Sequence, residues 1–412
     1  MDGRSDARRR RDERATSRRA RAALLLGGTL LGIAAGEVGA RLVGFRFHPH
    51  MRNRVHFAEP DRLLGWRNRA GASGPYGGNE FETHVTINDA GQRGPSHPLE
   101  RTAGVHRVAI LGDSQAWGDG VGDAETFAAL LDGAAGGRAE VLDFACPGYG
   151  TDQELLLFDR EVVRWRPDVV VIAVFVGNDP KDNVSDGTWQ YPKPRFDVSP
   201  SGDLVLRGTP IEPRPLVEGG IAVYRFAMRH SALLNAIAEA TNGTAPPPDH
   251  RLPDLPKIYG ASYAPAPDAK ALRALATTER LLRELVAHVR AAGARPVVLL
   301  LPELWQVDVA VRPRWRGDLA ARRADWRRPQ RLLRQAMRAE GVETIDVLPA
   351  LARAARRSVD GGPHVFLRQW RHLNQRGHAV VAQRLGASLG ISVRGRGVRT
   401  QGAGPPREPA RP

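Results

Sequence analysis

The chain has 412 residues, 42% of them hydrophobic and 25% charged, a composition typical of a globular protein with one large or two ordinary domains. All but four of its 60 basic residues are arginines. The formal charge of +15 comes without zinc-finger spacing, an RNA-binding aromatic signature or a heptad-backed basic helix, so no nucleic-acid partner is predicted. Cys146 is the only cysteine, which excludes an intrachain disulfide.

The first 44 residues have the pattern of an export or anchoring signal. Residues 1–21 are a basic leader with nine arginines against four acids, and residues 22–36 carry no charge. A full membrane span takes about 20 residues, so we interpret residues 22–44 as a signal peptide, or as a signal anchor with Glu37 and Arg41 near the interface. The positive flank predicts a cytoplasmic N-terminus and a catalytic domain outside the cytoplasm. This domain would stay anchored to the membrane, or would be secreted if the leader is cleaved. A soluble amphipathic or buried helix is the alternative.

Residues 45–100 are rich in turn residues, with one strand-like run at Phe81–Ile87. This predicts a small β-rich lead-in that packs on the main domain.

From residue 101 to residue 392 the pattern changes to buried strands that alternate with amphipathic helices. Strands are predicted at Val108–Leu111, Val141–Phe144, Val169–Val176, Pro296–Leu301 and Glu343–Val347. Helices are predicted at Asp152–Trp165, Asp268–Ala292, Arg331–Glu340 and His378–Leu389. Such alternation predicts an α/β domain with a central parallel sheet covered on both faces.

Two insertions interrupt this domain. Residues 179–267 are rich in Pro and Gly, with a helix expected near Val223–Ala240, and residues 305–328 are predicted to form a Trp- and Arg-rich loop. Both leave from carboxyl ends of strands, so both are candidates for walls over a ligand crevice. Residues 393–412 are predicted to be a disordered tail.

Four stretches fall where strands reach the ligand-facing edge of such a sheet. Ser114 follows the first strand, Gly148 the second and Asn178 the third, and His372 lies shortly before the last helix. Gly-Asp-Ser alone is a common helix-capping string. Together, the four stretches predict that Ser114 attacks a carbonyl carbon and that His372 takes its proton. Backbone N–H groups of Ser114 and Gly148 and the amide of Asn178 are the expected donors to the oxyanion.

In this order, Gly112-Asp113-Ser114, the Gly148 loop, Gly177-Asn178-Asp179 and His372 resemble the four blocks of the SGNH (GDSL) hydrolase family. The resemblance implies a three-layer flavodoxin-like α/β fold and the activity of an esterase, lipase, carbohydrate O-deacetylase or acyltransferase. The lead-in strings at 64–66 and 87–94 resemble a bacterial subgroup with an N-terminal membrane segment.

One departure concerns the third member of the triad. The family usually carries an aspartate three residues before the histidine, sometimes two, where this chain has Gln369 and Trp370. Three interpretations stay open: a Ser–His dyad, an acid from elsewhere such as Asp360 or Asp346, or a site with little hydrolytic activity. Asp360 also fits an ordinary turn, and Asp346 also fits a helix cap.

Two further residues, Asp179 and Tyr149, are expected to shape the substrate pocket. The string Gly118–Gly122 is not a dinucleotide loop, because Asp123 stands where the last glycine should be. The chain also lacks a phosphate-binding lysine loop and a His-Glu-x-x-His helix, so no cofactor and no metal site are predicted.

These patterns predict an exported, membrane-anchored serine hydrolase or acyltransferase whose substrate is an acylated carbohydrate or lipid of the envelope. The alternative is a weakly active or inactive carbohydrate-binding or envelope-assembly protein on the same scaffold.

Overall fold

The computed structural model describes residues 3–43, 54–78, 80–188, 191–212, 215–234, 236–237, 262–308, 323–356, 365–367 and 370–393. The chain forms two compact units, one of residues 1–50 and 214–249 and one of residues 51–213 and 250–412.

The strands are β1 (Ala58–Asp61), β2 (Gly65–Asn68), β3 (Ser73–Gly78), β4 (Phe81–Thr86), β5 (His106–Gly112), β6 (Ala139–Asp143), β7 (Val169–Phe175), β8 (Gly187–Thr188), β9 (Tyr191–Pro192), β10 (Arg195–Val198), β11 (Leu204–Arg207), β12 (Arg295–Leu301) and β13 (Glu343–Asp346). The α-helices are α1 (Gly3–Leu42), α2 (Arg54–Phe57), α3 (Ser114–Trp117), α4 (Phe127–Ala135), α5 (Thr151–Arg160), α6 (Asp179–Asp182), α7 (Pro215–His230), α8 (Ala269–Ala291), α9 (Leu304–Val307), α10 (Arg328–Ala339), α11 (Leu348–Arg356) and α12 (Gln375–Leu389).

The larger unit is organised around a five-stranded sheet in the order β13-β12-β7-β5-β6, with every neighbouring pair parallel. In chain order this is the 2-1-3-4-5 arrangement of flavodoxin-like folds, whose topological switch point lies here between β5 and β7. The predicted α/β fold with a central parallel sheet is therefore confirmed. Ligands bind outside the carboxyl ends of the strands at such a point, which is where β5 leads into Ser114 and β7 leads toward Asn178.

Each face of the sheet carries its own hydrophobic core because successive side chains of a strand point to opposite faces. In β5, Val108 and Ile110 belong to one core, and Ala109 and Leu111 to the other. All four side chains are at most 3% exposed. Helices α4 and α12 supply the first core, and helices α5, α8 and α10 supply the second.

Residues 54–94 form two antiparallel hairpins, β1–β2 and β3–β4, that join both cores. Tyr76 and Val85 pack in the first core, and Leu64 and Trp66 pack in the second. The strand expected at Phe81–Ile87 is present as β4.

The five predicted sheet strands agree with the observed ones to within two residues at either end. The helix expected at Asp152–Trp165 is shorter: α5 ends at Arg160, and Val162–Trp165 forms a separate 3-10 turn after Glu161 leaves helical geometry at φ −124°. A short helix, α9, opens the segment expected to be a loop from Trp305.

The first insertion contains more regular structure than its composition indicates. It holds α6 and the hairpins β8–β9 and β10–β11, and Lys193 forms a fully buried ion pair with Asp152 of α5. The helix expected near Val223–Ala240 begins earlier than expected, because α7 runs from Pro215 to His230; residues 232–234 and 236–237 are also helical, and residues 238–240 lie outside the described residues. Proline suits the first turn of a helix.

Helix α1 contains a 24-residue stretch, Arg19–Leu42, whose most apolar 18 consecutive residues have a mean hydropathy of 1.6. By length and composition this stretch could cross a membrane, and a signal sequence would meet the same criteria. The predicted tail beyond residue 393 lies outside the described residues.

Candidate active site

Ser114 is the first residue of α3, at the carboxyl end of β5. The preceding Asp113 caps the helix through its Oδ1, which accepts a 2.8 Å hydrogen bond from the Gln115 backbone N–H. Ser114 is 7% exposed. Its own backbone N–H lies in the first turn of a helix, where such groups have no partner within the helix.

The His372 imidazole lies against this serine. Its Nε2 is 2.8 Å from Ser114 Oγ, and its Nδ1 is 2.9 Å from the backbone carbonyl oxygen of Trp370. A carbonyl oxygen only accepts hydrogen bonds, so Nδ1 carries the proton in this contact and Nε2 presents a lone pair to the serine. This is the tautomer that a general base requires.

The residue after the serine holds the histidine loop in place. Gln115 is 2% exposed. Its side-chain amide donates to the Arg371 carbonyl at 3.2 Å and accepts from the Leu373 N–H at 3.0 Å. Both backbone groups flanking His372 are thereby tied to α3, which itself carries the serine.

An aspartate that the sequence analysis did not select also lies at this site. Asp119 is fully buried, and its Oδ2 is 3.7 Å from His372 Nε2. Its Oδ1 accepts hydrogen bonds from the Tyr76 hydroxyl at 2.7 Å and from Trp370 Nε1 at 2.9 Å. The flanking glycines 118 and 120 have φ of 86° and 104°, a region that favours glycine. The signal in the sequence is an acid between two glycines shortly after the serine, a string that the sequence analysis tests only as a dinucleotide loop.

The Gly148 turn begins beside the serine, because the Cys146 N–H donates to the carbonyl of Gly112 at 3.0 Å. Gly148 adopts φ 83°. Among the described residues, no acceptor is present for the backbone N–H groups of Gly148 and Ser114. The lead-in supports the turn, since Trp66 Nε1 donates to the Pro147 carbonyl at 3.0 Å.

Asn178, half-buried after β7, stands between two acids. Its Nδ2 donates to Asp182 Oδ2 at 3.0 Å, and its Oδ1 is buried without a partner among the described residues. Burial raises the pKa of Asp113 to about 7, although the hydrogen bond from the Gln115 backbone N–H and the nearby Asn178 amide act to lower it. Asn178 is thus placed beside the residue that precedes the serine.

Other buried acids near the carboxyl ends of the strands share this shift. Burial raises the pKa of Glu303 to about 8 and the pKa values of Glu154 and Asp179 well above their usual range, with Asp113 adding repulsion in each case. Burial therefore disfavours the ionised form of these three acids.

The remaining sequence-predicted residues have other contacts. Asp179 is fully buried and accepts from the Phe175 N–H at 2.9 Å, and Tyr149, 1% exposed, donates to the Trp66 carbonyl at 2.6 Å. Their role in substrate binding stays a prediction. Asp346 caps α11 through the Leu348 N–H at 3.0 Å. Gln369 and Asp360 lie outside the described residues.

With the fold and this geometry established, the chain can be compared with known proteins. Residues 110–380 match the model of the GDSL-like Lipase/Acylhydrolase family. This range covers well over half of the chain and contains Ser114, Gly148, Asn178 and His372. The protein is thus a serine hydrolase that acts on ester bonds. It belongs to the GDSL-like lipase/acylhydrolase family, as its sequence resemblance implied.

Solved structures similar to the chain include the following three. A catalytic mutant of an acetylxylan esterase from Geobacillus stearothermophilus has 13% identity and a TM-score of 0.39, with 72% of this chain and 100% of that chain covered. An alpha/beta hydrolase enzyme from the metagenome of Lake Arreo, Spain, has 14% identity and a TM-score of 0.36, with coverage of 70% and 97%. The acetyl xylan esterase AlAXEase has 12% identity and a TM-score of 0.37, with coverage of 69% and 99%. Similarity at this level carries no information on substrate. A comparison with curated protein sequences finds no match.

Proposed function

We propose that this protein is a membrane-anchored or secreted serine esterase that hydrolyses or transfers an acyl group on a carbohydrate or lipid of the envelope. The observation that carries the proposal is the 2.8 Å contact of Ser114 Oγ with His372 Nε2, together with the carbonyl that holds Nδ1. The envelope substrate follows from the leader, whose basic flank and apolar helix are expected to direct the catalytic domain out of the cytoplasm.

In the first half of the reaction, Ser114 Oγ attacks the ester carbonyl carbon while His372 Nε2 takes the hydroxyl proton. The C=O electron pair moves to the oxygen, which the N–H groups of Ser114 and Gly148 and the Asn178 amide stabilise. The carbonyl then re-forms, the alcohol leaves with the proton from His372, and an acyl-serine ester remains. Water or an acceptor hydroxyl attacks this ester in the second half, with His372 again as the base.

The proton transfers leave His372 doubly protonated for part of each half-reaction. The Trp370 carbonyl accepts from Nδ1 but has no net charge to offset the imidazolium. Asp119, 3.7 Å from Nε2 and fully buried, supplies that charge in our proposal. It approaches from the serine side of the ring, whereas the usual aspartate of a triad hydrogen-bonds Nδ1.

Fluorophosphonate labelling of the purified full-length chain tests this proposal. The wild type is expected to be labelled, Ser114→Ala to lose labelling completely, and His372→Gln to slow it by orders of magnitude. Ser201→Ala, which alters an exposed serine in the turn between β10 and β11, is the matched control and is expected to label as the wild type. A folded wild type that labels no faster than Ser114→Ala would contradict the proposal and favour a binding protein.

Acyl release then separates the substrate classes. Acylated glycans and phospholipids are offered with and without an alcohol acceptor. Release in water alone indicates a hydrolase, and acyl transfer that depends on the acceptor indicates a transferase.

A further inference from the structure

The smaller unit exposes large apolar side chains on two elements that are far apart in sequence. On α1, Leu24, Leu26 and Leu31 are 65–76% exposed. On the segment 215–237, which comprises α7 and a further helical turn from Ala232, the exposed apolar residues are Val223 (69%), Phe226 (68%), Leu234 (39%) and Ile237 (50%). Soluble proteins seldom leave this much apolar surface uncovered, and such patches usually mark an interaction surface.

Glu37 of α1 joins the two elements. Its carboxylate accepts hydrogen bonds from Ser231 Oγ at 2.8 Å, the Ala232 N–H at 2.9 Å and the Leu233 N–H at 3.0 Å. Beside it, Arg41 donates to Glu37 at 2.8 Å and to the His230 carbonyl at 3.0 Å.

The two elements also pack closely at this point. The Leu233 side chain packs on Gly36, where an added Cβ would come within 3.1 Å of it. Glycine suits such a contact between helical segments, because its lack of a side chain lets them approach.

Because Glu37 binds residues 231–233, segment 215–237 and α1 must share the same surroundings, water or lipid. Glu37 is a charged group inside the apolar stretch of α1, and a charge at membrane depth is tolerated only when it is paired or hydrogen-bonded. The donors at 231–233 meet that requirement only if the segment that carries them lies at the same depth as Glu37.

We propose that segment 215–237 is a second membrane contact, with Val223, Phe226, Leu234 and Ile237 in the acyl-chain boundary of a phospholipid bilayer beside α1. The inference rests on the proposed membrane anchor and is independent of the esterase chemistry. A lipid bilayer fits better than a second protein, because it covers the apolar surface of α1 and the adjoining surface of 215–237 at once. Helices that lie in the interface in this manner bury an apolar face to a depth of roughly 5–10 Å.

Site-specific fluorescence tests this in the full-length chain, reconstituted in vesicles of phosphatidylcholine and phosphatidylglycerol. The only native thiol, Cys146, is 2% exposed, and burial raises its pKa, so a single introduced cysteine is the reactive one. Nitrobenzoxadiazole is attached to Phe226→Cys or Ile237→Cys. Leu30→Cys reports on the anchor, and Ser201→Cys, in a polar turn of the larger unit, is the aqueous control.

We expect nitroxides on lipid acyl chains to quench the labels at 226 and 237 several-fold more than the label at 201, and aqueous iodide to do the reverse. Labels at 226 and 237 that are as open to iodide as 201, while 30 is quenched by lipid, would overturn the inference and leave the anchor intact. Shielding of 226 and 237 from both quenchers would overturn it in favour of a protein partner or a second copy. A label at 30 that is open to iodide would refute the anchor and this inference together.

The variant Glu37→Leu tests the connection itself. It makes α1 more apolar but removes the acceptor for residues 231–233, so lipid quenching at 237 is expected to fall several-fold while quenching at 30 persists. Unchanged quenching at 237 would overturn the role of Glu37 in holding this segment.

Discussion

In the proposed mechanism, the base receives its orientation and its electrostatic support from different residues. In the usual triad one aspartate does both, because it hydrogen-bonds Nδ1 and offsets the imidazolium charge. Here the Trp370 carbonyl orients His372, and the nearest described carboxylate to the ring is Asp119. Opposite charges about 4 Å apart attract by about 4 kcal/mol at an effective dielectric constant of 20, which is enough to matter for the rate.

The first prediction concerns the variant Asp119→Asn. The amide oxygen can still accept from Tyr76 and Trp370, but the charge is lost. We expect the acidic limb of the kcat/KM profile to move down by about 1–3 pH units, because the imidazolium loses its stabilising neighbour. At pH 7 the rate is expected to fall by about 10- to 10³-fold. Ester hydrolysis measured from pH 4 to pH 9 checks both.

Tyr76→Phe is the matched control for this prediction. It removes one hydrogen bond to Asp119 Oδ1 and leaves the carboxylate in place, so the acidic limb should stay where it is. If both variants lower the rate equally and neither moves the limb, Asp119 acts only through packing and our assignment is wrong. Other ionisable groups around His372 and Asp119 are unchanged in both variants. Glu80 accepts from the Trp370 N–H at 3.1 Å, and Arg93 donates to the Gly118 carbonyl. Burial lowers the pKa of His378, another of these groups, to about 3.

Asp143 gives a second prediction, on stability against pH. Burial raises its pKa to about 7, although the charge of Arg93 acts against the shift. Between about pH 4 and pH 7 the unfolded chain has released this proton and the folded chain has not. The folded state therefore binds more protons, and the free energy of unfolding falls by up to about 1.4 kcal/mol per pH unit as pH rises.

Asp143→Asn should remove this contribution. Its Oδ1 can still accept from the Ala145 N–H, a 3.0 Å contact in the wild type. The free energy of unfolding is measured with urea at intervals from pH 4 to pH 8. Its decrease with pH is expected to be shallower than in the wild type by the equivalent of about one proton. The decrease does not vanish, because Asp113 and Glu303 retain pKa shifts of the same sign. A slope equal to that of the wild type would mean that Asp143 is ionised in the folded protein.

At the scale of elements, the two lead-in hairpins and the histidine loop support the site from different parts of the chain. The β2 residue Trp66 holds the Gly148 turn through the Pro147 carbonyl. After β4, Arg93, with its side chain 1% exposed, donates to the carbonyls of Trp117, Gly118 and Val121. The loop that carries Asp119 is thereby fixed at three backbone positions.

We predict that Trp66→Phe lowers kcat more than it lowers stability. The ring volume is mostly kept, but the bond to Pro147 is lost, at a cost of about 1 kcal/mol in the free energy of unfolding. Loss of a whole oxyanion donor costs about 10²–10³-fold in rate, so displacement of the Gly148 turn should lower kcat by up to that amount, with little change in KM.

Trp165→Phe serves as the comparison for Trp66→Phe. Trp165 packs on Phe144, with ring centroids 6.0 Å apart, and within the described part of the chain no hydrogen bond joins its indole to the Gly148 turn. Its loss should cost stability without an effect on kcat. Equal losses of kcat in the two variants would show that general loosening of the domain, and not the position of the turn, is responsible.

The sheet strands could be predicted closely because parallel strands covered on both faces are near-continuous apolar runs, as in Val169–Phe175. The start of helix α7 could not, because Pro215 and Gly219-Gly220 indicate a loop when read locally. The acid beside His372 was missed for a related reason. The family pattern directs attention to the positions just before the histidine, and Asp119 lies 253 residues away along the chain.

At the scale of the whole molecule, we expect α1 to determine where the enzyme works. The apolar stretch Arg19–Leu42 is long enough to span a bilayer, and its basic flank favours a cytoplasmic N-terminus. An acylhydrolase fixed in this manner would meet esters of the envelope and not those of the cytoplasm.

The double variant Leu26→Arg with Leu30→Arg is predicted to release the full-length chain from the membrane. Each arginine near the centre of a span opposes insertion by about 2.5–3.5 kcal/mol. Carbonate extraction of membranes from expressing cells should find the wild type in the pellet and the double variant in the supernatant. Leu99→Arg adds a charge at a half-exposed site of the larger unit, 47% exposed, and should stay in the pellet. A soluble wild type shortened at its N-terminus would instead indicate a cleaved signal peptide.

By itself, the sequence predicted the strands, the parallel sheet and the stretches that carry Ser114, Gly148, Asn178 and His372, because burial and turn chemistry leave local patterns in the chain. Only the tertiary structure decided which nitrogen of His372 faces Ser114, that Asp119 is its acidic neighbour, and that Glu37 binds residues 231–233. These contacts join positions far apart in the chain, and their energy depends on distance and burial in the folded molecule, which no local pattern records.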